Sequence, residues 1–219
     1  MLPIYVMYDS GLDCFEEDGV KEALDELSKL FPQIPITNFA KKPWTSKREP
    51  YSSADWYVVN TPSIRGNYGN YQLDGDCLLR LIEKEPWQAA NPHIDVFITS
   101  EDMTVRDNGS LLNFVFGVAR GRVTVQSVAR YRDLFDFQRK LCTKAVVLHE
   151  VGHIFGMAAD LNRSHTEYLL GPHCTNYGCV MRQGLTVHDW AEHAYQAHVH
   201  GPYCPECLSD AKKSAFLVP

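Results

Sequence analysis

Apolar positions recur along this chain in two rhythms, one of strands and one of helices. Leu2 to Tyr8 is a short apolar run closed by Asp-Ser-Gly, which predicts a buried strand. From Glu17 to Phe31 the apolar residues Val20, Leu24, Leu27 and Phe31 step by three or four, the spacing of one helix face, and Pro32 ends the run. Ile34 to Ala40 and Asp55 to Val59 read as strands on either side of a Pro- and Ser-containing loop. Leu73 to Ile82 returns to helical spacing and ends near Pro86, and Ile94 to Thr99 is a strong strand. Asn113 to Gly117 and Arg122 to Val128 flank Ala-Arg-Gly and predict a hairpin or bent edge pair. Between Leu134 and Met157 the helical spacing continues without a proline, predicting a long helix. No internal repeat or low-complexity segment interrupts this order, and a loop-rich tail follows it.

Composition narrows what such a chain can be. The 219 residues are 45% hydrophobic, 22% charged and 11% aromatic, enough for a sizeable core and too apolar for disorder. The formal charge of −6 makes phosphate backbones and anionic lipid poor partners, so no nucleic acid and no membrane surface is expected. The start, MLPIYVMYDSGLDCFEEDG, has no basic leader and only a short apolar run, so a cytoplasmic protein is expected. Seven cysteines is an odd count, and four of them stand close together in the last quarter of the chain. That pattern points to metal before disulfide.

The long helix carries His149-Glu150-Val151-Gly152-His153 and then Gly156. Residues i and i+4 lie about 40° apart around a helix and roughly 6 Å apart along it, so both imidazoles can meet one cation. Glu150 can then reach a water on that metal without binding the metal itself, which is the arrangement of a zinc hydrolase. Alone the pentamer is only moderately specific, and satisfied helix histidines are the competing reading. The apolar Ala145-Val146-Val147-Leu148 before it and the turn residue Gly156 after it favour the metal.

Cys174 and Cys179 form a C-x4-C pair, Cys204 and Cys207 a C-x2-C pair. Two thiolate pairs on short loops suit a tetrahedral four-cysteine zinc site that would hold down a tail with little core of its own. Buried free thiols and disulfides are the alternatives. Cys14, Cys77 and Cys142 stand alone and read as packed thiols.

Taken in order, His149, Glu150, His153, Gly156, His173-Cys174, Cys179, Met181, Cys204 and Cys207 resemble the signature of the archaemetzincins, zinc metallopeptidases of the metzincin clan. The resemblance covers the last third of the chain. It implies a catalytic zinc on His149, His153 and His173, Glu150 as general base, Met181 as the Met-turn beneath the metal, and a second, structural zinc on Cys174, Cys179, Cys204 and Cys207. Two departures stand out. The third histidine should follow Gly156 by three residues, yet Ala159 occupies that place and His173 arrives seventeen on, implying an insertion of fourteen. Loop closure costs little extra with length, so His173 can return to the metal, but Asp160 and His165 remain open as third ligands. The spacer from Met181 to Cys204 is also longer than in the family pattern.

Thr186 to Asp189 reads as a capping box opening a further helix, with His188, His193, His198 and His200 on or after it as solvated or outer-sphere groups. Asn113 to Gly117 is a candidate edge strand for an extended peptide, and Tyr177 and Arg182 are left without a role. The expected architecture is α+β and metzincin-like: a mixed twisted sheet packed on helices that include the HExxH helix, with a small zinc-stapled C-terminal subdomain. One metallopeptidase domain spans 1–219, its upper subdomain 1–156 and its lower one 157–219. The expected function is zinc-dependent hydrolysis of peptide or protein substrates by a monomer with two zinc ions. The rival is a non-catalytic zinc-stabilised interaction module whose metal site is closed by spare ligands from the insertion.

Overall fold

The computed structural model describes residues 2–41, 53–66 and 68–214, the side chain of Trp87 excepted. In chain order its elements are β1 (Ile4–Tyr8), α1 (Cys14–Leu30), β2 (Ile36–Ala40), α2 (Ala54–Asn60), β3 (Ser63–Arg65), β4 (Tyr71–Asp74), α3 (Gly75–Glu83), α4 (Pro86–Ala90), β5 (Ile94–Thr99) and β6 (Met103–Thr104). Then come β7 (Arg106–Asp107), β8 (Ser110–Leu111), β9 (Gly117–Arg120), β10 (Val123–Ser127), α5 (Asp136–Ile154), β11 (Thr166–Tyr168), β12 (Pro172–Cys174), α6 (Val187–His200) and α7 (Pro205–Lys213). They fall into two compact units, residues 2–13 with 35–130, and residues 14–34 with the chain from 131 onward.

The first unit is built on a five-stranded mixed sheet in the order β2-β1-β5-β10-β9. β1, β2, β5 and β10 run parallel, and β9 closes one edge antiparallel to β10 through the hairpin at Gly121. Every residue of β5 is buried, as its continuous apolar run requires. Met7, Phe97, Val123 and Val125 from the sheet pack with Tyr57 of α2 and Leu78, Leu79 and Ile82 of α3. Asp74 caps α3 by accepting from the backbone N–H of Cys77 at 3.0 Å.

Three expectations shift here. Asp55 to Val59 is helical and not a strand: Ser53 caps α2 by accepting from the N–H of Trp56, and Ala54 and Tyr57, three apart, form its buried side. Short apolar runs fit either period, and the cap decides. The edge strand is Gly117–Arg120, so Ala119 and Arg120 belong to the ladder and only Gly121 and Arg122 make the turn; residues 113–116 precede it. Pro86 ends the helical pattern as expected but also opens α4. The loop expected between Ala40 and Asp55 falls largely outside the described residues.

The second unit is helical. Its spine is α5, and α1 lies against it over Val20, Ala23, Leu24 and Leu27. Gly19 makes the approach possible, because a Cβ there would stand 2.6 Å from the Lys140 carbonyl oxygen. Charged pairs stitch the same seam: buried Glu16 with Arg132 and Arg139, each at 3.4 Å, and Lys140 with Glu22 at 2.8 Å. α6 also packs against α5 and is opened by the expected capping box, with the Asp189 N–H on Thr186 Oγ1 at 3.1 Å and the Thr186 N–H on Asp189 Oδ2 at 3.0 Å. Among the described residues no helix is long and apolar enough to cross a membrane.

Candidate metal centres

Two groups of metal-binding side chains form in the second unit, and one stretch of backbone serves both. The first group is His149, His153 and His173, whose ligand nitrogens all lie within 4.8 Å of one another. His149 and His153 come from the last turns of α5, one helical step apart, and their Nε2 atoms are 3.1 Å apart. Gly156 then takes φ 71°, the left-handed turn that ends the helix. His173 returns on β12, its ring 5.1 Å from that of His149 and 5.0 Å from that of His153. Asp160 and His165 lie outside this group. Asp160 accepts from the Asn162 N–H in an exposed turn, and the His165 ring is 3.5 Å from Glu206.

Hydrogen bonds fix which ring nitrogens converge. His149 Nδ1 donates to the Val180 carbonyl at 2.7 Å and His173 Nδ1 to the Gly171 carbonyl at 3.0 Å, leaving each Nε2 as a lone-pair donor. Burial pushes His149 well below the usual imidazole range, and the neighbouring His153 and His173 push the same way. His153 falls to about 3 by burial and the closeness of His173, and burial also lowers His173. Neutral imidazoles with facing lone pairs are what a cation needs. Tetrahedral zinc with nitrogen at about 2.0–2.1 Å sets its ligands roughly 3.3 Å apart, so the observed spacing fits.

Glu150 is 4% exposed and enters no ion pair among the described residues. Burial raises its carboxyl to about 8. Gly152 makes a contact that the sequence reading did not anticipate: a Cβ there would lie 2.3 Å from Met181 Sδ. Fully buried Met181 therefore sits directly under the HExxH turn. Glycine inside a helix costs about 1 kcal/mol relative to alanine, so its presence mid-motif was the available signal of a close approach.

The second group is Cys174, Cys179, Cys204 and Cys207, with sulfurs also within 4.8 Å of one another. Cys174 and Cys204 stand 3.8 Å apart and Cys179 and Cys207 3.6 Å, far beyond the roughly 2.05 Å of a disulfide. Four sulfurs at about 2.3 Å from a tetrahedral zinc are separated by roughly 3.8 Å, so this set fits that ion too. Donors surround it: the Asn176 N–H on Cys174 at 3.4 Å, Asn176 Nδ2 on Cys204 at 3.3 Å, and Arg163 Nη2 on Cys207 at 3.2 Å. Hydrogen bonding from Cys179 holds the Cys174 thiol down to about 7. Cys204 is lowered as well, principally by Cys174.

The segment from His173 to Met181 joins the groups. The Cys174 N–H donates to the Met181 carbonyl at 2.9 Å, and Val180, whose carbonyl orients His149, lies between Cys179 and Met181. Trp190 of α6 meets the His149 ring edge-on at 5.1 Å. His193 is buried on the same helix, while Tyr177 is exposed, its hydroxyl 3.4 Å from Glu192.

No family model matches the chain. It is 35% identical over 188 residues to an archaemetzincin of Nanoarchaeum equitans, a match spanning 74% of this chain and 91% of that protein. An archaemetzincin of Pyrococcus horikoshii is 29% identical over 110 residues, 47% of this chain and 48% of that one. Among solved structures, archaemetzincin from Methanopyrus kandleri superposes with a TM-score of 0.65 at 20% identity, covering 97% of this chain and 94% of that one. Archaemetzincin from Archaeoglobus fulgidus, in complex with malonate, gives 0.56 at 22% identity over 95% and 99%. The two structures bear out the expected α+β fold. The sequence match over nine-tenths of the Nanoarchaeum protein goes further, and by it the chain belongs to the archaemetzincin family.

Proposed function

We propose that this chain is a zinc-dependent peptidase that hydrolyses peptide bonds with Glu150 as general base. The observation that carries the reading is the set of three neutral, converging imidazoles with a buried carboxyl on the residue after the first. His149, His153 and His173 would hold a zinc ion with three ligands and leave room for water beside it, which catalysis needs and a purely structural site lacks. Zinc held there supplies Lewis acidity toward a peptide carbonyl and makes a bound water acidic. His149, His153 and His173 hold the ion, and the Val180 and Gly171 carbonyls keep two of the rings turned toward it. Glu150 takes the proton of the attacking water and returns it to the leaving amine. Burial keeps that carboxyl basic, and a nearby cation draws it back toward the ionised form that a base requires.

Cys174, Cys179, Cys204 and Cys207 hold a second zinc whose shell is closed, so it serves structure. Met181 is the Met-turn under the first site. The domain divides functionally at Gly156, the helical ligands before it and the third ligand, Met-turn and cysteine zinc after it. Peptides or proteins are the substrates of a monomer with no nucleic-acid or membrane partner; seven cysteines outside any disulfide suit a reducing cytoplasm. A diverse peptide mixture, read by mass spectrometry, tests the activity against Glu150→Ala. Cuts made by the zinc-loaded wild type and not by the variant support it; identical products from both, with zinc retained in both, refute it.

A further inference from the structure

The insertion after Gly156 is the part of the metal site for which the family pattern has no place, and its side-chain anchors gather on one helix. Asp210 of α7 accepts from the Ala158 N–H through Oδ2 at 3.1 Å, and the same oxygen is 3.1 Å from Arg163 Nη1. Arg163 reaches further with its other nitrogen, donating from Nη2 to Cys207 Sγ at 3.2 Å. The Arg163 and Asp210 side chains are each only 12% exposed, so the fork is shielded from competing water. One turn back along α7, Glu206 stands 3.5 Å from the His165 ring.

From these anchors the chain runs directly to His173. Thr166 Oγ1 donates to the Arg163 carbonyl at 3.0 Å, and the Thr175 N–H donates to the His165 carbonyl at 2.9 Å. β11 then pairs with β12 in a register that sets Thr166 opposite Cys174 and Glu167 opposite His173. Three non-glycine residues of the insertion, Ala158, His165 and Leu170, are in the left-handed region, at φ 60°, 62° and 56°. Such conformations persist only where surroundings impose them, and two of the three stand at the anchors themselves.

We infer that Arg163 is a positioning residue that clamps the insertion to the cysteine cluster, and that through this clamp the cluster sets where the His173 imidazole stands. The inference rests on the two-site metal reading. Its chemistry is that of a charged outer-sphere donor: four thiolates around a divalent ion leave a net negative charge, and a planar guanidinium answers it while bridging to Asp210. Without the clamp the insertion regains chain entropy that the third ligand must overcome on binding.

The test uses the full chain and metal binding as readout. Zinc is titrated against a chelator of known affinity, and cobalt substitution separates the sites, because only the cysteine cluster gives sulfur-to-cobalt charge-transfer absorption. Arg163→Ala weakens zinc at the histidine site by roughly ten- to a hundredfold while the cluster keeps its cobalt absorption. Arg163→Lys, which keeps the charge and loses the fork, falls between alanine and wild type, an ordering that a mere cavity at this position does not give. Unchanged affinity at the histidine site in Arg163→Ala overturns the inference. Loss of the cluster's own absorption overturns it too, since Arg163 would then prop the cluster and link nothing to it. If Arg163→Ala does not fold, Asp210→Asn decides by the same two criteria. Tight, clamp-dependent zinc in a protein that cuts no peptide would sink the peptidase reading and leave this one standing.

Discussion

Two buried clusters, one in each unit, arrange their titratable groups in opposite ways. In the sheet unit acid faces base: His93 Nε2 is 3.0 Å from Asp95 Oδ1, and the other Asp95 oxygen accepts from Gln88 Nε2. Burial opposes the charge on His93, but the Asp95 hydrogen bond and charge outweigh it and raise the imidazole. Glu85 nearby is pushed up to about 10 by burial and by Asp95, so it is neutral at physiological pH. In the two metal-binding groups of the helical unit like faces like, imidazole against imidazole and thiol against thiol. The first arrangement settles its charges internally. The second leaves its lone pairs and thiols turned toward one another, a set that a cation would complete, and that contrast distinguishes a candidate metal centre from an ordinary buried polar cluster.

Removing the metal should break the contrast most strongly. Stripping zinc, or replacing Cys179 with Ala, is expected to cost several kcal/mol and to raise hydrogen exchange in α7 and residues 172–182 while β1 and β5 stay protected; apparent structural zinc energies in small domains reach about 10–16 kcal/mol. Uniform loss across both units would contradict it. His149→Ala should come next, emptying one zinc by elemental analysis, abolishing peptide cleavage and leaving the thiolate site filled. Glu150→Gln should keep both ions and lower turnover about 10²- to 10⁴-fold, the usual range for a lost general base.

The smallest effect belongs to the self-neutralised cluster. A carboxyl raised on folding contributes stability that is complete below its unfolded value of 4.5 and drains away as pH climbs toward about 10. Glu85→Gln mimics the neutral form, so it should stabilise by roughly 1–3 kcal/mol near pH 9 and by almost nothing near pH 4. Thermal unfolding of both proteins at the two pH values checks this, and a difference of the same size at each would remove the assignment.

Much of the candidate site was legible in the sequence because the grouping of its side chains depends on local spacing. His149 and His153 meet through helix geometry alone, and paired cysteines on short loops need little more. The strands β1 and β5 announced themselves as apolar runs, and α6 by its cap. What escaped notice depends on distant partners. α2 was misread because a run of four apolar residues, Trp56 to Val59, suits either period and the capping role of Ser53 went unweighed. Arg163 looks like any loop arginine until α7 folds beside it, and His93 and Asp95 look like a strand edge until Gln88 closes over them. Gly152 left a trace in the sequence, a glycine where a helix former belongs, but the sulfur it admits arrives from twenty-nine residues away.

Residues 173–181 carry side chains of both metal groups and the carbonyl that orients His149. This has a consequence for where the protein can grow. An extra residue between Cys174 and Cys179, or between Cys179 and Met181, would slide one group against the other and spoil both. Extra residues before His173 enter ahead of that ruler, in a hairpin whose tip at Tyr168, Leu169 and Leu170 is exposed to solvent. Lengthening is cheap there and ruinous a few residues later.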